Sequence, residues 1–204
     1  MVGRLKMAKA FTEEEKIKIK EKIMETALDL FHDKGTKSLS ISELTKRVGI
    51  AQGSFYNFWK DKESLILDLM AYRVIQKLDD IEQKIPYSLE NPKKFLSDII
   101  YKGSVDLAKK IRKQSMYKDA FKIFLVHDFK EGSRIETLYR DFLDRLAEYW
   151  EQNNVVRSVD KKGLANAFIG SFILCCNNEH FNEETFDEVL YIYISGIVSK
   201  YIEI

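Results

Sequence analysis

The stretch from Ser40 to Leu65, SISELTKRVGIAQGSFYNFWKDKESL, restricts the possible folds of this chain more than any other. Ser40 with Glu43 three residues later forms a capping box, and Ile41, Leu44 and Val48 follow as a buried stripe. Gly49 breaks that helix. A second helix, about Gln52 to Phe58, is too small and too aromatic for a routine surface helix. Asp61 then caps a third. Two short helices in a tight frame, followed at once by a longer one, make an element built to enter a groove.

The rest of the chain agrees with a helical frame. Of 204 residues, 45% are apolar, and only two prolines and nine glycines interrupt them. Lys, Glu, Leu and Ile abound, while alternating β-branched runs are scarce, so the fold class is all-α. A first helix spans about Thr12 to Lys34, opened by a Thr12–Glu15 capping box, with Ile19, Ile23, Ala27, Leu30 and Phe31 on one face and Gly35 as its stop. Helix 4 starts near Lys62 and runs to about Lys84. Its apolar positions cover more than one face, as in a connector between domains. Pro86 and Pro92 mark the clearest break. Beyond it, helices are expected at about Pro92–Ile111, Ser115–His127, Ser133–Asn153, Asp160–Asn177 and Glu184–Tyr201, giving about nine in all. The expected domains are 1–65 and 66–204.

Charge is nearly balanced at +1 overall. Residues 1–65 hold 13 Lys/Arg against 10 Asp/Glu, and the remainder 20 against 22. This mild asymmetry matters less than the local grouping of Lys46, Arg47, Lys60 and Lys62 around the short helix. Met1 to Ala10 reads as a basic tail. The only cysteines, Cys175 and Cys176, are adjacent and unsuited to pair, which favours a reducing, cytoplasmic setting. The longest apolar runs, such as Val189 to Ile194, are too short to span a membrane.

A helix-turn-helix needs a supporting helix, a relieved turn and a second helix with a free outer face. Here Ile41, Leu44 and Val48 support, Gly49 relieves, and Ile50, Phe55 and Trp59 turn inward. Gln52, Ser54, Tyr56, Asn57 and Phe58 remain outward or at the rim, and Gly53 removes a side chain where backbone must come close to DNA. Gln and Asn offer paired donors and acceptors to base edges. Tyr, Ser and Lys suit phosphate oxygens, which set register without reading sequence. Lys62 stands at a helix N-terminus, where backbone N–H groups also favour an anion. A core helix with a chance aromatic run would account for Phe55 and Trp59. It would not explain Tyr56, Asn57 and Phe58 crowded beside Lys60 and Lys62.

The run Gly53-Ser54-Phe55-Tyr56-Asn57-Phe58-Trp59-Lys60-Asp61-Lys62-Glu63-Ser64-Leu65 closely resembles the recognition-helix signature of the tetracycline-repressor (TetR) family, roughly G-T-L-Y-x-x-F-x-x-K-E-x-L after a G-V-S or G-V-A turn. The likeness covers about Thr12 to Leu65; beyond it only length and helical character agree. It implies a three-helix DNA-binding domain, a C-terminal helical ligand-binding and dimerisation domain, a homodimer, a palindromic double-stranded DNA operator and repression relieved by a small ligand. By position, Tyr56 and Lys62 match the family's phosphate contacts, Ser40 its helix-capping hydroxyl, and Gln52, Ser54 and Asn57 its base or backbone contacts. Gly53 and Lys60 complete the expected DNA-facing set. Thr45 stands where Ala is common, Trp59 where Phe is usual, and Ala51 cannot cap as Ser would.

In the C-terminal half, eleven of the seventeen residues from Phe186 to Ile202 are apolar, too many for one packed face. The helix over Leu164 to Cys175 is similar. Helices apolar all round are covered twice, so these two are expected to form a four-helix dimer interface through Phe168, Gly170, Phe172, Val189, Tyr193, Gly196, Ile197 and Tyr201. Tyr101, Ser104, Met116, Phe121, Phe124, Tyr139, Phe142, Phe168 and Phe172 are candidates to line an effector pocket, with Asn166 and His127 as further polar groups. Any one of them also suits a core. Cys176 and His180 are four apart, a chelating spacing on a helix, but a metal site needs three or four ligands, so metal or thiol sensing ranks low. No phosphate loop, nucleophile elbow or triad spacing occurs, and neither a cofactor nor an enzyme is expected. The expected function is a DNA-binding repressor released by a small apolar or aromatic ligand; a constitutive or a metal- or thiol-responsive DNA-binding regulator without an organic inducer is the alternative, and a helical enzyme ranks below both.

Overall fold

The computed structural model describes residues 11–113, 115–127 and 133–204, with the side chains of 32–38, 115, 116 and 127 outside the description. The basic tail over Met1 to Ala10 lies outside it too. Among the described residues are eight α-helices, three 3-10 segments and one pair of two-residue strands. The chain divides into two compact units, Met1–Leu65 and Ile66–Ile204.

In the first unit, α1 spans Glu13–Ser38 and α2 Ile41–Val48. Both halves of the first capping box form: Thr12 N–H donates to Glu15 Oε2 at 2.8 Å, and Glu15 N–H to Thr12 Oγ1 at 3.2 Å. Gly35 does not end α1, which continues to Ser38. An internal glycine costs only about 1 kcal/mol relative to Ala, too little to stop a helix whose buried face, Ile23, Ala27, Leu30 and Phe31, is already committed. The stop comes just before Ser40, which caps α2 by accepting from Glu43 N–H. Gly49 closes α2 in the left-handed region (φ 85°), its N–H bonded to Thr45 O at 2.9 Å.

The short helix is not an α-helix. Gln52–Asn57 is a 3-10 segment. Phe55, fully buried, fixes it, and the carbonyl of Phe55 accepts from both Phe58 and Trp59. Asp61 then caps α3, Lys62–Glu82, through bonds of 2.7 and 2.6 Å from the Ser64 N–H and hydroxyl.

In the second unit, Pro86 lies within a 3-10 segment, Ile85–Leu89, and Pro92 opens α4, Pro92–Lys113. This connection is tied down rather than loose. Trp150 Nε1 donates to the buried Ser88 hydroxyl at 2.6 Å, and Ser88 donates to Ile85 O. The helices α5 (Ser115–His127), α6 (Arg134–Gln152), α7 (Lys161–Cys176) and α8 (Glu183–Tyr201) follow. Their boundaries fall within one residue of the sequence expectation, because Ser133, Asp160 and Asn182 each cap with their own side chains. The main core joins α4, α6, α7 and α8 around Leu96, Leu146, Trp150, Leu164, Leu190 and Val198. The all-α expectation has one exception. Strands β1 (Ser158–Val159) and β2 (Ile202–Glu203) pair antiparallel, stitching the entry of α7 to the exit of α8.

Candidate nucleic-acid interface

The 3-10 segment owes its position to aromatic packing. The Phe55 and Trp59 rings lie 5.6 Å apart, both buried, and Lys20 of α1 places its ammonium 5.5 Å from the Trp59 ring centre. Phe58 leans on Trp59 and is half-buried, and Ile50 is likewise half-buried. A second tie comes from Lys22 Nζ, which donates to Val48 O at 3.0 Å and so holds the end of α2 to α1. Thr45, unusual at its position, is buried with its hydroxyl bonded to Ile41 O at 2.8 Å, so the helix itself absorbs the extra polar group.

The opposite edge is open. Gln52, Gly53, Tyr56, Asn57 and Lys60 are exposed, as is Ser40, while Ser54 and Lys62 are half-buried. Tyr56 keeps 55% of its surface accessible, its ring edge-on to Phe55 at 5.5 Å. An exposed tyrosine held by a buried ring presents its hydroxyl in a defined direction. Gly53 has ordinary backbone angles, and a Cβ added there would meet nothing within 4 Å. Its missing side chain therefore serves no contact inside the chain. Ala51 leaves the segment without a side-chain cap. Lys60 lies 3.9 Å from Asp61, a surface pair of little strength. The edge thus offers amide, phenol and ammonium groups on a rigid base, and its chemistry is that of hydrogen bonding to polyanionic surfaces and base edges.

The other candidate residues separate into groups. Phe121, Phe124 and Phe172 form an edge-to-face cluster, with ring centres 4.8 and 5.3 Å apart, against Ile135 and Ala71. Phe142 and Phe168 pack with the main core instead. Tyr101 sits edge-on to Tyr191 of α8 at 5.4 Å, on the α4–α8 seam. Ser104 is buried, and its carbonyl accepts from the Cys175 thiol at 3.4 Å. Asn166 is exposed. Met116 and His127 lie outside the described side chains. Tyr139 keeps 37% of its surface accessible, yet the protein around it pushes its hydroxyl up to about 12.

Of the residues expected between subunits, Gly170 has an internal role: a methyl there would overlap the Tyr193 hydroxyl, which donates to Ala167 O at 3.2 Å. Phe172 is engaged with the phenylalanine cluster, and Tyr201 packs over Gly163. Val189 and Gly196 face outward, and a Cβ added at Gly196 would meet nothing within 4 Å. Ile197 is partly buried. The exposed stripe also includes Ile173 and Ile192, which sequence reasoning did not single out; the i, i+3, i+7 spacing of Val189, Ile192 and Gly196 was the available signal.

Cys176 and His180 do not share a helix. The α7 helix ends at Cys176, and His180 belongs to the 3-10 segment Asn178–His180, so the chelating spacing is lost. Among the described residues, no group of three His, Cys, Asp or Glu could hold a metal ion. Burial pushes the Cys175 thiol up to about 11 and that of Cys176 to about 12, away from the reactive thiolate form. No described helix is long and apolar enough to cross a membrane.

Residues 23–69 match the family model for bacterial regulatory proteins, tetR family. The uncharacterized HTH-type transcriptional regulator YuxN of Bacillus subtilis (strain 168) is 46% identical over 57 residues, covering 28% of this chain and 20% of that protein. The chain thus matches about a fifth of the length of this curated relative. Solved structures resemble nearly the whole chain. The TetR family repressor FadR of Thermus thermophilus, in complex with lauroyl-CoA, superposes with a TM-score of 0.63 at 16% identity, covering 88% of this chain and 93% of that one. The repressor QsdR of R. erythropolis, also of the TetR family, gives 0.66 at 11%, covering 90% and 95%. At such identities the likeness is one of fold.

Proposed function

We propose, from the match of residues 23–69 to the family model for bacterial regulatory proteins, tetR family, that this chain is a homodimeric transcriptional repressor, released from a palindromic operator by a small apolar or aromatic effector. The observation that carries the reading is the open edge of the 3-10 segment. Gln52, Tyr56, Asn57 and Lys60 are exposed around a glycine whose bareness has no use inside the protein. Tyr56, Lys60, Lys62 and Ser40 contact phosphates and set register, while Gln52, Ser54 and Asn57 meet base edges. Gly53 lets the backbone come close to the duplex.

The dimer follows from the outer faces of α7 and α8. Ile173, Val189 and Ile192 are exposed, Ile192 by 63%, and Gly196 leaves room for a close neighbour. A two-fold axis there presents two reading edges to two half-sites. The effector occupies the second unit beside Phe121, Phe124 and Phe172, with Tyr139 as a further lining residue. Support comes from the Thermus protein of the same fold, solved with lauroyl-CoA. Release needs an effector that binds one state of the protein better than the other; a shift of α3, whose first turn is in one unit and its remainder in the other, is the simplest carrier. The raised thiol pKa values weigh against a cysteine sensor.

Gel-shift titration against DNA upstream of the chain's own gene tests the reading. A salt-sensitive, sequence-preferring complex that small apolar or aromatic compounds dissolve is expected. Absence of any preferred sequence there overturns it.

A further inference from the structure

The open edge is as informative for what it lacks as for what it carries. In the major groove guanine offers two acceptors, which suit a guanidinium, and cytosine an amino donor, which suits a carboxylate. Adenine offers one donor and one acceptor, which suit an amide, and thymine adds a methyl group. Residues 51–60 contain no Arg, Asp or Glu. Arg47 is the one arginine among the described residues of the first unit, and it is bound to Glu43 at 2.8 Å. Both stand on α2, the helix that crosses the DNA backbone in this motif. Asp61 is occupied as well, its Oδ1 accepting from the Ser64 N–H and hydroxyl. The edge is thus without the groups that best read guanine and cytosine.

It does carry two amides and a methyl. Gln52 and Asn57 are exposed, and neither side chain bonds to a described residue, so each keeps its donor and its acceptor for a ligand. Ala51 is exposed beside Gln52. The first residues of a reading helix are those that reach base edges, which puts Ala51 and Gln52 foremost. A 3-10 segment rises about 2 Å per residue, so the two amides stand roughly 10 Å apart along it. That exceeds the ~3.4 Å step of the duplex, and they meet different base pairs. Lys60 follows Trp59 beyond the end of the segment and faces Asp61 at 3.9 Å, a place for phosphate contact.

We propose that this edge reads each operator half-site at A·T pairs. Gln52 and Asn57 each accept from an adenine N6 amino group and donate to the N7 of the same base, and the Ala51 methyl packs on a thymine methyl. This rests on the reading that the edge meets DNA, and it names the base pairs that the edge selects.

Selection by the full chain from a library of randomised duplexes, repeated with Gln52→Ala and Asn57→Ala, tests the assignment. Wild-type protein is expected to enrich fixed A·T pairs in each half-site, one relaxed by Gln52→Ala and another by Asn57→Ala. On the selected duplex, 7-deazaadenine at those two pairs, which lacks the N7 acceptor, is expected to raise the wild-type Kd by at least ~5-fold, and 7-deazaguanine throughout to change it less than about twofold. The deaza substitutions need no variant, so the test stands even where a variant fails to fold. At a pair relaxed by Gln52→Ala, 7-deazaadenine should then cost that variant nothing further. Fixed G·C pairs relaxed by either variant or by Lys60→Met, or fixed A·T pairs indifferent to both variants and to 7-deazaadenine, overturn the A·T assignment while leaving operator binding. Enrichment of no sequence overturns the operator reading and the assignment with it.

Discussion

Two glycines four residues apart in the sequence do opposite work. Gly49 has φ 85°, a conformation that costs an L-residue roughly 1–2 kcal/mol. Gly49→Ala is therefore expected to lower stability by about that amount in urea unfolding. Gly53 has ordinary angles and empty space around it. Gly53→Ala is expected to leave the free protein as stable or slightly more so and yet to weaken DNA binding. A loss of stability at Gly53, or unchanged binding, would contradict its assignment to the interface. The thiols give a pH test at the same scale. Burial raises Cys175 to about 11 and Cys176 to about 12 from the ordinary 9.0. The folded state then holds these protons more tightly than the unfolded chain, so their contribution is intact below 9.0 and declines as pH rises toward 11 and 12. Urea midpoints falling above that point, with slow alkylation of the native protein near about pH 8, are the expected outcome.

Helix boundaries were legible in the sequence wherever a side chain capped them, as Thr12, Ser40, Asp61, Ser133 and Asp160 do. What was not legible depended on partners far away in the chain. Gly35 looked like a stop, but a stop also needs the following residue to leave the helix, and α1 continues to Ser38. The 3-10 form of Gln52–Asn57 is set by where Phe55 and Trp59 must be buried, which local pattern does not encode. The strand pair joins Ser158 to Glu203 and Val159 to Ile202, more than forty residues apart in the chain. Asn178 was likewise invisible. It is buried, accepts from Arg112 Nε at 2.7 Å, and donates to Ala108 O and Cys175 O at 3.2 and 2.6 Å, clamping α4 to the turn between α7 and α8. Asn178→Ala removes the acceptor of Arg112 Nε and a donor to two carbonyls, while Arg112 keeps its bond to the residue-178 carbonyl and its pair with Glu183; it is expected to cost on the order of 2 kcal/mol in urea unfolding, and a loss below about 1 kcal/mol would show the clamp to be incidental.

For the whole molecule, the account requires two copies. Ile192 is 63% exposed on α8 beside Val189 and Gly196. Ile192→Glu is expected to convert the dimer to monomer in sedimentation equilibrium, with little change in helix content, because the side chain supports nothing within its own subunit. Monomeric wild-type protein at micromolar concentration would remove the dimer from the account. The exposed edge proposed to read DNA was legible in the sequence because Gly53, Tyr56, Asn57 and Lys60 are local to one motif. The proposed subunit face was harder to read. Apolar circumference alone cannot tell a neighbouring helix from a neighbouring chain: Phe172 and Gly170, expected between subunits, also have packing contacts inside their own unit.

The most direct test of the central claim, that this edge reads an operator as a symmetric pair, is fluorescence anisotropy on duplexes from the chain's own upstream region. The account expects two chains per palindromic duplex, affinity that falls steeply with salt, and a preference over a scrambled duplex of at least ~10³-fold. Equal affinity for the scrambled duplex, or one chain per site, would contradict it.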